Sequence, residues 1–172
     1  MVTSFKKYLI SFEDIDIIRN SYYKGDENSG DDPNNEYNKR FLKDNYNLKK
    51  VSAKTFFCDL NNTELMDVVR KNIPVTNKEY ITNVHYINYG IGERALEHTD
   101  TGASIKTFLI LLNNEFQGGE FYLRGKYVPF KVGEIIEFDA SLLHEVKPVI
   151  DGNREVLVIW LKWNNKNKKS LL

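Results

Sequence analysis

The chain has 172 residues, 41% of them apolar and 13% aromatic, far too many for a disordered polymer. Its 24 basic and 24 acidic residues cancel, which argues against a broad binder of phosphate backbones. A lone cysteine, Cys58, excludes an intramolecular disulfide and any multi-cysteine metal knuckle, and reads as an inert buried thiol. One domain over 1–172 is expected, since a chain of this size buries roughly 70% of its unfolded surface without a staple. No apolar run reaches the roughly 18 residues that a membrane span needs, and no signal-peptide pattern is present, so a cytoplasmic protein is expected.

Residues 1–78 read as helical support. Ser11 is an N-cap with Asp14 at the capping-box position, and Ile15, Ile18 and Tyr22 follow at helical spacing. Residues 24–38 are polar, with Gly and Pro, and predict a long surface loop able to serve as a substrate lid. Lys54–Leu60 predicts a strand, and Asn62 caps a second helix that Pro74 ends. From Glu79 the pattern turns to short strands over 80–89, 106–112, 120–123, 135–138 and 156–163, separated by glycines. The fold class is therefore mostly β with supporting N-terminal helices (α+β), with a jelly roll or barrel over 79–163 and a polar tail over 164–172.

Of three histidines, His98 stands in His-Thr-Asp, two positions before Asp100. In an extended segment both side chains point the same way and can reach one metal. Alone the pattern is weak, because a loop histidine beside a carboxylate explains it equally well. His144, just after the strand at 135–138, changes the balance. Two imidazoles and a carboxylate on neighbouring strands make the facial triad that suits non-haem Fe(II), whereas zinc prefers a tetrahedral set. Arg154 enters the last strand and is either a surface partner of Glu155 or Asp151 or a buried grip for a carboxylate. His85 shares a face with Ile87 and Tyr89, which leaves it either a core histidine or a pocket residue.

These pieces resemble, in order, the catalytic jelly roll of the iron- and 2-oxoglutarate-dependent dioxygenases, and specifically the prolyl 4-hydroxylase-like branch. The resemblance covers 84–163. It runs through Asn88-Tyr-Gly-Ile-Gly, His98-Thr-Asp100, Thr107 to Asn113, Gly118-Gly-Glu120, Pro129 with Gly133, His144 to Pro148, and Gly152-Asn-Arg154 with Trp160. It implies a double-stranded β-helix in which His98, Asp100 and His144 bind Fe(II). It further implies 2-oxoglutarate and O2 as cosubstrates, with ascorbate as an optional reductant, and Arg154 on the distal carboxylate of 2-oxoglutarate. Tyr89 and Trp160 match residues lining the pocket and backing the metal. The reaction so implied decarboxylates 2-oxoglutarate to succinate while a C–H bond is hydroxylated, with iron and cosubstrate carrying the hard step.

Two positions depart from relatives. Leu111 stands where a tyrosine often donates a second hydrogen bond to 2-oxoglutarate, and Thr107, on the same strand face, is expected to offer a hydroxyl instead. Arg154 is the choice of the oxygen-sensing members, where collagen-type members carry lysine. The expected substrate is a prolyl residue in a peptide or protein. A free amino acid or other small metabolite is the alternative, and a catalytically silent jelly-roll binding module is a third reading. Nucleic acid is disfavoured by zero net charge and by Trp160, which stands where demethylases of the superfamily carry a second arginine. Oligomeric state is not readable from the sequence.

Overall fold

The computed structural model describes residues 5–22, 51–102 and 104–164. The expected loop and lid at 24–38 lie outside them, as does most of the tail.

Two ten-residue helices lead the described chain, α1 (Phe12–Ser21) and α2 (Thr63–Asn72). Both begin as their caps dictate. Ser11 is extended and its hydroxyl accepts from Asp14 N at 3.1 Å, while Asn62 Oδ1 accepts from Leu65 N at 3.2 Å. Ile73 ends α2 with φ −110° and ψ 138°, the extended geometry imposed on a residue before proline, here Pro74. Asp14 does not close a capping box. Its carboxylate instead accepts from Lys71 Nζ at 3.0 Å and Asn72 Nδ2 at 2.9 Å, tying α1 to the end of α2.

Thirteen strands are described: β1 (Phe5–Leu9), β2 (Val51–Ser52), β3 (Lys54–Phe57), β4 (Glu79–Tyr89), β5 (Arg94–His98), β6 (Lys106–Leu111), β7 (Phe116–Gly118), β8 (Phe121–Leu123), β9 (Lys126–Tyr127), β10 (Glu134–Asp139), β11 (His144–Val146), β12 (Val149–Gly152) and β13 (Arg154–Trp163). A major sheet runs β1-β10-β6-β13-β4-β3, a minor sheet β2-β5-β11-β8-β9, and β7 pairs with β12 alone. The strand pairings are antiparallel, as a jelly roll requires. The reading of 1–78 as helical support needs correction. Residues 5–9 form an edge strand that pairs with β10, and the strand expected over Lys54–Leu60 stops at Phe57.

Alternation divides the major sheet between two cores. Its outer face, with Val84, Tyr86, Phe108, Ile110, Leu157 and Ile159, packs on Ile15 and Ile18 of α1 and Leu65, Met66, Val68 and Val69 of α2. Its inner face, with Ile87, Leu109, Ile136, Val156, Val158 and Trp160, meets Ala95, Phe121, Leu123 and Val146 of the minor sheet. Arg154, Thr107 and Tyr89 share the parity of that inner face. No helix among the described residues is long and apolar enough to cross a membrane.

Candidate active site

The site begins with strand register. β11 pairs with β5 so that His144 stands directly opposite His98, and their rings lie 4.3 Å apart between centroids. The chain leaves β5 after His98, and Asp100 N donates to Ala140 O at 2.8 Å, which turns the carboxylate back beneath the two rings. His98 Nε2 lies 3.8 Å from Asp100 Oδ1, and His144 Nε2 lies 3.7 Å from Asp100 Oδ2. One ligand atom from each of the three falls within 4.8 Å of the others, close enough to hold one metal ion.

Each imidazole is oriented by its other nitrogen. His98 Nδ1 donates to Leu96 O at 2.6 Å and His144 Nδ1 to Leu142 O at 2.9 Å. A carbonyl can only accept, so both Nδ1 atoms carry a proton and both Nε2 atoms face Asp100. Burial lowers the pKa of His144 and the nearby His98 adds to this, against the attraction of Asp100, which favours the neutral ligand form. Phe138 packs edge-on against His144 at 4.8 Å, and Phe121 stands behind it at 6.2 Å. Two nitrogens and one carboxylate make a three-donor set that fits Fe(II) and not a closed, four-ligand tetrahedral zinc site.

Arg154 is the second part of the site. It is only 2% exposed, faces its cross-strand partner Tyr89, and carries its guanidinium 5.4 Å from the Tyr89 ring. No carboxylate or hydrogen-bond acceptor among the described residues pairs with it. Burying an unpaired cation costs several kcal/mol, so this arrangement favours taking up an anion. Burial draws the guanidinium pKa down, opposed by Tyr89, and burial pushes Tyr89 itself up to about 12 despite the arginine. Both stay protonated near neutrality.

Leu111 is buried, pairs with Val156, and has only carbon to offer. Thr107, expected to offer its hydroxyl to 2-oxoglutarate, points that hydroxyl at Asp100. Its hydroxyl proton goes to Asp100 Oδ2 at 2.6 Å, and Trp160 Nε1 donates to the same oxygen at 3.0 Å. Sequence reading missed this convergence, although Thr107 and Trp160 stand opposite each other in register. His85 is a buried ring between Phe57, at 4.3 Å, and Trp160, at 4.5 Å, and burial takes its pKa down to about 3.

A sequence model of the 2OG-Fe(II) oxygenase superfamily matches residues 84–162, the segment that holds His98, Asp100, His144 and Arg154. A PKHD-type hydroxylase of Prochlorococcus marinus (strain MIT 9211) is 30% identical over 146 residues. By this match and this relative, the chain is similar to the 2OG-Fe(II) oxygenase superfamily. That alignment covers 76% of this chain and 65% of the relative, so the chain spans just under two thirds of that relative's length. The fold is that of solved members. A viral collagen prolyl hydroxylase from Paramecium Bursaria Chlorella virus-1, solved with 2OG, superposes with a TM-score of 0.65 at 17% identity, covering 92% of this chain and 96% of the other. A Trichoplax adhaerens prolyl hydroxylase, solved with a hypoxia inducible factor peptide fragment, gives 0.61 at 19% identity, covering 92% and 83%. The match to this superfamily implies Fe(II) as cofactor and 2-oxoglutarate and O2 as cosubstrates.

Proposed function

We propose that the chain is an Fe(II)- and 2-oxoglutarate-dependent dioxygenase that hydroxylates a prolyl residue in a peptide or protein. One observation carries the reading: a His-Asp-His ligand set shares its β-sandwich interior with a buried guanidinium that has no anionic partner among the described residues. His98, Asp100 and His144 would hold the metal, and Arg154 would take the distal carboxylate of 2-oxoglutarate. Bound there, the metal and cosubstrates supply oxidative decarboxylation to succinate coupled to hydroxylation of a C–H bond, with ascorbate as an optional reductant. The protein's part is positioning. The two imidazoles present fixed Nε2 lone pairs, Arg154 and Tyr89 set the depth of the cosubstrate, and Leu111, Val156 and Val158 keep water from its chain. A cytoplasmic setting belongs to the same proposal, as Cys58 makes no demand for an oxidising compartment.

The prolyl specificity draws on the relatives, a PKHD-type hydroxylase and two prolyl hydroxylases. Mass spectrometry on a panel of proline peptides and free amino acids tests it. The expected result is gain of one oxygen on a peptidyl proline, dependent on both Fe(II) and 2-oxoglutarate. Gain on a free amino acid alone would overturn the peptide substrate, and absence of any succinate formation would overturn the enzyme reading.

A further inference from the structure

Among the three candidate ligands, Asp100 is the odd one. His98 and His144 sit on paired strands, and each is anchored through Nδ1 to a backbone carbonyl. Asp100 lies past the end of β5, in a connection whose backbone is tied by Asp100 N to Ala140 O at 2.8 Å and by Ser104 N to Asp100 O at 3.0 Å, bonds that do not involve the carboxylate. A carboxylate on such a connection turns about two torsions unless something holds it. The major sheet reaches across the sandwich to do so. Thr107 Oγ1 and Trp160 Nε1 come from directly paired positions of β6 and β13 and converge on one oxygen, Oδ2, at 2.6 and 3.0 Å. Thr107 is fully buried and Asp100 2% exposed, so water does not compete for these bonds. The indole is fixed in turn: the His85 ring meets it at 72° and 4.5 Å, and Phe57 backs His85 at 88° and 4.3 Å.

We propose that Thr107 and Trp160 are positioning residues, a two-donor clamp that sets the orientation in which Asp100 meets the metal, with His85 as the wedge that holds the indole. This deepens the proposed function and rests on its metal centre. It also moves Thr107 from the cosubstrate to the metal. A hydroxyl has one proton, and here it is given to Asp100, so loss of that hydroxyl should weaken metal binding and leave the Arg154 end of the pocket untouched.

The test titrates Co(II) into the metal-free protein under anaerobic conditions and follows the d–d absorption, with thermal unfolding of the metal-free protein alongside. Thr107→Val and Trp160→Phe should each weaken Co(II) binding by roughly ten- to a hundredfold and shift the d–d band. Thr107→Ser, which returns the hydroxyl, should restore both, an outcome that a merely structural role for Thr107 does not produce. With Co(II) saturating, the concentration of 2-oxoglutarate that half-saturates Thr107→Val should match that of the wild type. Equal Co(II) affinity and an unshifted band in both Thr107→Val and Trp160→Phe would overturn the clamp while leaving the metal centre standing. A wild-type protein that takes up no Co(II) would overturn both.

Discussion

Around Arg154 the backbone of the neighbouring turn comes so close that only a glycine fits. A Cβ on Gly119 would lie 2.8 Å from Arg154 Cδ and 3.3 Å from Val149 Cγ2, and the residue has φ +64°. Gly119→Ala therefore strains the backbone and pushes the arginine stem off its path. Apparent affinity for 2-oxoglutarate should fall by about tenfold or more, equivalent to about 1.4 kcal/mol, while Co(II) affinity stays at the wild-type value. Isothermal titration with each ligand checks both halves. His98, Asp100 and His144 were legible in the sequence because their types and order suffice to suggest a metal. Thr107 was only half legible. Parity put it on the correct face of β6, but the partner of its hydroxyl comes from the other sheet, and no local pattern encodes that approach. The steric demand at Gly119 was hidden for the same reason, since it is set by β13 and β12 folding over it.

At the scale of elements, the helices were read from their caps and the strands from their apolar runs, and both signals are local. β1 was missed because its pattern does not alternate cleanly. Lys6 and Lys7 stand side by side at an edge, where one is held by Glu137 and the other by Glu134. Contact between the helices was invisible too, because its polar part joins residues far apart in the chain, Asn62 Nδ2 to Ser21 O and Asp14 to Lys71 and Asn72. Burial alone would raise the Asp14 pKa, but hydrogen bonds from Asn72, Lys71 and Ser11 outweigh it and hold it below the ordinary 3.8. A depressed folded-state pKa contributes stability that is complete above the unfolded value and fades as pH falls through the folded one. Asp14→Ala should cost about 2 kcal/mol at neutral pH, the order of a lost hydrogen bond to a charged group. The difference from wild type should shrink as the pH drops below about 4. Urea unfolding across that range measures both, and a difference that does not vary with pH would remove Asp14 from this role.

For the whole molecule, the arrangement of the two sheets is what makes a site. His98 and His144 hang from the minor sheet, Arg154 and Tyr89 from the major one, and Asp100 is tied to both. The jelly roll itself could be expected from short strands at regular spacing, but its two pairing registers, His144 opposite His98 and Arg154 opposite Tyr89, are long-range and emerge only on folding. The outer core has no charged site residue and serves to fasten the helices against the major sheet. In the proposed function the inner core carries the chemistry, with one 2-oxoglutarate reaching from the metal held by His98, Asp100 and His144 to Arg154. Anaerobic titration of the Fe(II)-loaded protein with 2-oxoglutarate, followed by its charge-transfer absorbance, tests this directly. The wild type should show a saturable band. Arg154→Lys, which keeps the charge but loses the bidentate fork, should bind 2-oxoglutarate about tenfold more weakly or worse, near 1.4 kcal/mol. Arg154→Ala should bind still more weakly while retaining Fe(II). No band in the wild type, or equal affinity in Arg154→Ala, would contradict the account.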